Sequence, residues 1–95
     1  MTLNILGARV TVVEVKDLDT RGEADFDGKK IKIRAGLKGR EKAQVFHHEV
    51  MHWVLYRCGL SEGMSHIVEE AICDAAGFVY SENPSLNSPA LLKKL

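Results

Sequence analysis

The pattern of apolar and polar positions divides the chain into a β-rich first third and a helical remainder. β-branched residues crowd the segment from Leu3 to Val15, which predicts a first strand bent near Gly7. Between positions 29 and 34, basic residues alternate with Ile31 and Ile33. This alternation predicts a half-buried antiparallel strand whose isoleucines face the core, and its charged outer side is typical of a sheet edge.

A turn precedes that strand and a long helix follows it. The dipeptide Asp27-Gly28 predicts the turn, with Ala24 to Phe26 as the partner across a hairpin. The segment from Glu41 to Arg57 contains neither Gly nor Pro, and Gly59 suits the left-handed position after a helix end. Its apolar residues recur at helical spacing, which predicts a buried face. These residues are Ala43, Phe46, Val50, Trp53 and Val54.

A second helix is predicted from about Met64 to Ser81, with Ser61 or Ser65 as its N-cap and Pro84 just beyond its end. Its predicted core stripe consists of Ile67, Ala71, Ala75, Phe78 and Val79. A short terminal helix is predicted over Pro89–Lys94. Because strands precede helices, we expect one α+β domain over residues 1–95, in which helices pack on a small antiparallel sheet of about three strands.

Composition narrows the classes of function. The formal net charge is zero, which argues against a nucleic-acid-binding surface, and no apolar run is long enough to span a membrane. The N-terminal residues do not show a basic segment followed by an apolar one, which a secretion signal would have. We therefore expect a cytoplasmic protein. Cys58 and Cys73 are then expected to be reduced thiols, with a disulfide between them as the alternative.

The strongest motif is His48-Glu49-Val50-Met51-His52, which reads H-E-x-x-H. Residues four apart on a helix lie about 40° apart around its axis, so His48 and His52 can bind one metal ion. Glu49 lies about 100° away from His48, within reach of a water on that ion. The motif predicts a Zn²⁺ site with Glu49 as the general base of a hydrolase. The alternative is a pair of surface histidines on an ordinary helix.

A catalytic zinc usually has a third protein ligand. Glu70 in the second helix is the preferred residue, because Asp74, one turn further on, can hold the free N–H of a ligating histidine. Glu69 ranks below it, since its side chain points about 100° away and shares no face with Asp74. Cys58 ranks third, because a helix that continues past His52 turns its thiol away from the ion.

Three further side chains, those of His66, His47 and Tyr56, are considered for roles at the site or in packing. His66 shares a helix face with Glu70 and is a candidate catalytic residue that could donate a hydrogen bond to an oxyanion or bind substrate; an exposed histidine is the equal alternative. His47 is expected to point away from the metal, and Tyr56 is expected to pack in the core.

With this motif, the downstream Glu70-Ala71-Ile72-Cys73-Asp74 and the strand before the helix, the chain resembles the small zincin-type metallopeptidases of the ImmA/IrrE-like group, including compact phage-encoded members. The resemblance covers roughly residues 27 to 83. It implies zinc held by His48, His52 and Glu70, with Glu49 as base. It also implies that the strand Ile31 to Arg34 borders the cleft and pairs with an extended peptide, and that the substrate is a cytosolic protein such as a repressor.

Two other classes of function remain open at the level of sequence. One is a metal-binding regulatory or interaction module without turnover, which a closed four-ligand site would favour. The other is a metal-dependent nuclease, which would need the local basic residues to form a groove. Those residues are Lys29, Lys30, Lys32, Arg34, Lys38, Arg40 and Lys42.

Overall fold

The computed structural model describes residues 1–86 and 93–94 and has the expected α+β architecture. Four strands form one sheet, and two long helices follow. The elements in chain order are β1 (Thr2–Ile5), β2 (Ala8–Val15), β3 (Gly22–Asp25), β4 (Lys30–Arg34), α1 (Gly39–Arg57) and α2 (His66–Glu82), with a short 3-10 turn at Ser61–Gly63 between the helices. The predicted terminal helix Pro89–Lys94 lies outside the described residues except for its last two positions.

The first predicted strand is in fact a hairpin of β1 and β2. Leu6 and Gly7 form its turn, and both have positive φ angles of 47° and 85°. Two consecutive residues with positive φ are what a two-residue hairpin turn requires. The sheet therefore has four strands rather than about three. Its order is β1-β2-β4-β3, and it is mixed because β2 and β4 are parallel.

The prediction that β4 is an edge strand is wrong. β4 pairs with β2 on one side and with β3 on the other, so β1 and β3 are the edges. The charges on its outer side have partners: the Lys32 ammonium lies 3.3 Å from Glu23 and 3.5 Å from Asp25. Alternation along a strand shows which side is buried, but it does not show which edge is free. β4 therefore cannot pair with an extended peptide, the role that the resemblance implied for it, because both of its edges are already paired within the sheet.

The core lies between the sheet and α1. Ile31 and Ile33 are buried there as predicted, with 0% and 2% of their surfaces exposed. Trp53 of α1 is buried against them, and its indole N–H donates to the Lys30 carbonyl at 3.1 Å. Phe46 and Val50, also on α1, pack around this cluster. The buried face predicted for the first helix is therefore confirmed, and the core holds α1 in place on the sheet.

The helix ends follow the predicted signals. Gly59 after α1 has a φ of 81°, the left-handed conformation expected of a C′ glycine. Of the two serines considered, Ser65 is the N-cap of α2, since its hydroxyl accepts from the Val68 N–H at 3.2 Å. Pro84 follows the C-cap Asn83.

The predicted core stripe of α2 is wrong, because its members are exposed. Ile67 exposes 81% of its surface, Phe78 49% and Val79 48%. The buried residues of α2 are Cys73, Gly77 and Ser81, which are small and face α1. Small side chains let the two helices approach closely, and this approach decides which side of α2 is covered.

Gly77 lies where α2 packs closely on α1. A Cβ atom at Gly77 would lie 2.6 Å from the carbonyl oxygen of Gln44 on α1, far inside contact distance. The helices run antiparallel, as shown by contacts of Arg40 with Glu82 and of His52 with Glu69. A glycine here therefore brings the acidic residues of α2 to the histidines of α1.

Gly77→Ala is expected to destabilise the metal-free protein. The gain in helix propensity of about 1 kcal/mol is outweighed by the clash with α1, for a net loss of about 1–3 kcal/mol. Urea unfolding followed by circular dichroism measures this change. The control is Gly63→Ala, where a Cβ would meet nothing within 4 Å; a change beyond about 0.5 kcal/mol is not expected there. Equal stability of Gly77→Ala and wild type would contradict the close packing.

None of the helices in the described part of the chain is both long and apolar enough to cross a membrane.

Candidate metal centre

Two histidines of α1 and one acid of α2 bring three donor groups together. Nε2 of His48 and Nε2 of His52 lie 3.2 Å apart. The Glu70 carboxylate lies between them, with one oxygen 3.3 Å from His48 Nε2 and the other 3.0 Å from His52 Nε2. The helical spacing of the motif stacks the imidazoles, and the packing of α2 on α1 supplies the carboxylate. Two groups in the described part of the chain have donor atoms close enough to hold a metal ion: His48 with Glu49 and His52, and His48 with Glu70 and Asp74. The contact of His52 Nε2 with Glu70 links the two groups.

The Nδ1 atom of each imidazole contacts a different carboxylate of α2. His48 Nδ1 lies 2.9 Å from Asp74 Oδ1, and His52 Nδ1 lies 2.7 Å from Glu69 Oε2. With Nδ1–H donating to a carboxylate, the lone pair of each histidine is on Nε2, which faces the shared point. Asp74 thus lies where the sequence places it, against a histidine.

Glu69 lies behind His52 rather than between the two histidines. Its second oxygen accepts a hydrogen bond from the Ser61 hydroxyl at 2.8 Å. Burial alone would raise the pKa of Glu69, but the hydrogen bonds from His52 and Ser61 outweigh that effect and lower it. The Glu69 carboxylate therefore stays charged and orients His52. The sequence singled out Glu69 for a different role and gave Ser61 none at the site.

Glu69→Gln is expected to weaken zinc binding about 10- to 100-fold, the usual effect of removing such an orienting carboxylate. The neutral amide accepts the His52 proton more weakly and leaves the imidazole less basic. Competition with a chromophoric chelator measures the affinity. The control is Glu62→Gln in the adjacent 3-10 turn, whose side chain is exposed. An unchanged affinity for Glu69→Gln would show that the contact with His52 does not act on the metal.

Glu49 is buried at the edge of this centre. Only 7% of its surface is exposed, and its Oε2 lies 4.0 Å from His48 Nε2. The pKa of Glu49 is raised to about 7, mainly by burial. The charge of His52 opposes this rise, and the charges of Glu70 and Glu23 add to it. A cation bound beside Glu49 would lower this pKa again, because positive charge stabilises the carboxylate.

Gly22 of β3 covers Glu49. A Cβ there would lie 3.0 Å from Glu49 Oε2 and 2.6 Å from a methyl group of Val45. The edge strand β3 therefore lies directly against α1. The sequence shows Gly22 only as a glycine in a polar segment, and nothing local distinguishes it from a loop glycine.

The centre opens into a cavity of about 300 Å³. The end of β3 forms one wall, and the facing sides of α1 and α2 form the others. The lining residues are Thr20, Arg21, Gly22, Gln44, Val45, His48, Glu49, His52, Glu70 and Asp74. A small molecule or a peptide group can therefore reach the donor atoms.

The remaining candidates lie away from this cavity. His66 is exposed at the first position of α2 and is not among the lining residues, so its catalytic role stays a prediction. Cys58 is exposed at the end of α1, and Cys73 is buried; both are free thiols. His47 stacks on Tyr80, with ring centres 4.6 Å apart, and burial lowers the His47 pKa.

The expectation that Tyr56 packs in the core is wrong, since 46% of its surface is exposed. Its ring stacks on Phe26 at the surface, with 4.2 Å between the ring centres.

Comparison of the chain with protein-family models, with curated proteins and with solved structures finds no match. The resemblance to ImmA/IrrE-like metallopeptidases thus stays a prediction, and the functional argument rests on the geometry of the centre.

Proposed function

We propose that the protein is a zinc-dependent metallopeptidase of the cytoplasm, in which His48, His52 and Glu70 hold the ion and Glu49 is the general base. The observation that carries the proposal is the spacing of three donor groups. The two Nε2 atoms lie 3.2 Å apart, and the two oxygens of the Glu70 carboxylate lie 3.3 Å from His48 Nε2 and 3.0 Å from His52 Nε2. A tetrahedral zinc with bonds of about 2.0–2.2 Å places neighbouring donors roughly 3.3–3.5 Å apart. Two nitrogens and one carboxylate oxygen are also a donor set typical of catalytic zinc.

Bound zinc would lower the pKa of a water ligand to about 7 and polarise a carbonyl. The protein's own residues supply the proton transfers. Glu49 in its charged form accepts a proton from water and then donates it to the leaving amine, as a general base that becomes a general acid. Gly22 packs closely against this carboxylate, since a Cβ at that position would lie 3.0 Å from Glu49 Oε2.

The substrate we propose is an extended peptide segment of a protein, for example a repressor. The edge strand β3 supports this choice, since it pairs only with β4 within the described sheet and its Gly22 lines the cavity. A peptide added to the free edge of β3 would run past the metal centre and gain main-chain hydrogen bonds. This is the role that the sequence assigned to β4.

The basic residues on which a nuclease function would depend are dispersed. Lys32 pairs with Glu23 and Asp25, and Lys42 pairs with Glu14. The guanidinium of Arg34 donates to the carbonyls of Leu18 and Asp19. None of these side chains lines the metal cavity. This arrangement favours a peptide over a nucleic acid as the substrate.

The test is metal content measured together with peptide hydrolysis. We expect about one zinc per chain by mass spectrometry of the native protein, and zinc-dependent cleavage of a fluorogenic peptide library that stops with a chelator and resumes with added zinc. Zinc binding without cleavage of any peptide would favour the alternative function, a metal-binding regulatory or interaction module that catalyses no reaction. Absence of zinc binding would exclude both of these functions.

A further inference from the structure

The outer face of α2 is apolar and exposed. We use this name for six residues on the side of α2 away from α1: Ile67, Val68, Ala71, Ala75, Phe78 and Val79. Ile67 exposes 81% of its surface, and Val68, Phe78 and Val79 each expose nearly half. No element in the described part of the chain covers this face. Contiguous apolar surface on a small domain usually marks an interaction site.

Three acids of α2 are turned toward α1. Glu69, Glu70 and Asp74 all contact the histidines of α1. At about 100° per residue Glu69 and Glu70 lie on the side of α2 that faces α1, and Asp74 lies at the border of the outer face, about 20° from Ile67. The outer face itself consists of apolar residues from position 67 to position 79, which is unusual for an exposed helix surface. The metal centre requires this orientation, and its consequence is an apolar surface that needs a partner.

The spacing of the outer face is symmetric about position 73. In an antiparallel two-fold pair of helices, positions at equal distances on either side of the axis face each other. An axis at the level of Cys73 places Ile67 opposite the second copy's Val79 and Val68 opposite the second copy's Phe78. Ala71 then meets the second copy's Ala75, and two small residues at the centre allow the helix axes to approach to about 8 Å. The face is complementary to itself.

The charges at the ends favour the antiparallel direction. Glu82 lies at the C-terminal end of the outer face and pairs with Arg40 of its own chain at 3.9 Å. In a parallel pair the two Glu82 carboxylates would be neighbours, whereas in an antiparallel pair they lie at opposite ends. Helix dipoles favour the antiparallel pair as well. The net charge of zero adds no repulsion between copies.

We propose that a second copy of this chain docks on the outer face of α2, forming an antiparallel two-fold dimer. The stripe from Ile67 to Val79 is about 18 Å long, which is short for a specific interface. Small interfaces belong to transient complexes, so the expected dissociation constant is on the order of 10–100 µM. The metal cavities lie on the other side of α2 and stay open in this dimer.

Sedimentation equilibrium over a concentration series tests the dimer. The wild type is expected to shift from the chain mass of 10.6 kDa toward twice that mass as concentration rises. Ile67→Glu and Val79→Lys are each expected to weaken association at least about tenfold, because each buries a charge against an apolar residue. Leu6→Glu is the control, since Leu6 is an apolar residue on the sheet hairpin whose exposed fraction, 59%, lies between those of Val79 and Ile67.

The double variant Ile67→Glu/Val79→Lys tests the direction of the pair. Opposite charges then face each other across an antiparallel axis, so association is expected to return to within about threefold of the wild type. In a parallel pair, like charges would meet at both positions, and association would stay lost. Circular dichroism of each variant checks that α2 remains folded.

Three results would overturn the proposal: a wild type that is monomeric up to about 1 mM, a dimer that Ile67→Glu leaves intact, and a double variant that does not recover. A monomeric wild type would assign the outer face to a different partner. These measurements need neither zinc nor activity, so their failure is distinct from failure of the proposed peptidase.

Discussion

Replacing Glu49 with glutamine is expected to lower peptide hydrolysis by about 10²- to 10⁴-fold while the protein still binds zinc. Glutamine keeps the size of the side chain but accepts no proton, so water is no longer activated. The zinc donors of His48, His52 and Glu70 are untouched. Stopped or continuous assays on a fluorogenic peptide, with zinc content measured on the same sample, separate the two effects.

The fold of this variant is expected to be preserved. Glu49 is buried with only 7% of its surface exposed, and burial is the main cause that raises its pKa to about 7. A neutral amide avoids the cost of burying a charge there. The matched control is Glu41→Gln, the same substitution at an exposed residue of the same helix. Full activity of Glu49→Gln would exclude Glu49 as the base.

Replacing Glu70 with alanine is expected to cost the largest share of zinc affinity among the acids of α2. Its two oxygens lie 3.3 and 3.0 Å from the histidine donors, so the substitution removes a ligand rather than a supporting contact. Zinc in protein sites is bound by about 10–16 kcal/mol in total, and a loss of one ligand is expected to weaken binding on the order of a thousandfold. Chelator competition measures it.

Asp74→Asn is the matched comparison for Glu70→Ala. Asp74 contacts His48 at Nδ1, at a distance of 2.9 Å. The loss of zinc affinity in Asp74→Asn is therefore expected to stay near the 10- to 100-fold typical of an orienting residue. The order of effects thus tests the assignment of roles. If Glu69→Gln weakened zinc binding more than Glu70→Ala, Glu69 would be the third ligand, as the sequence allowed.

Two of the errors in the predicted fold, the edge position of β4 and the core stripe of α2, have one cause. Periodicity shows which side of an element is apolar, but it does not show what lies against that side. The alternation around Ile31 and Ile33 correctly indicated the buried side of β4, yet the parallel pairing with β2, which makes β4 an inner strand, depends on residues far away in the chain. In α2 the apolar stripe and the acids Glu69 and Glu70 lie on different sides of one helix, and only one side can face α1.

What the sequence determined by itself is local. Helical geometry alone stacks His48 over His52 with Glu49 beside them, and Gly59 and Ser65 mark helix ends through the conformations and hydrogen bonds of their own neighbourhoods. Only the tertiary structure decided that the Glu70 carboxylate lies against both histidines, that Glu69 contacts His52, and that Gly22 packs on Glu49. Those relations depend on how closely α2 and β3 approach α1, and that distance is set by packing between residues remote in the chain, such as Gly77 against Gln44.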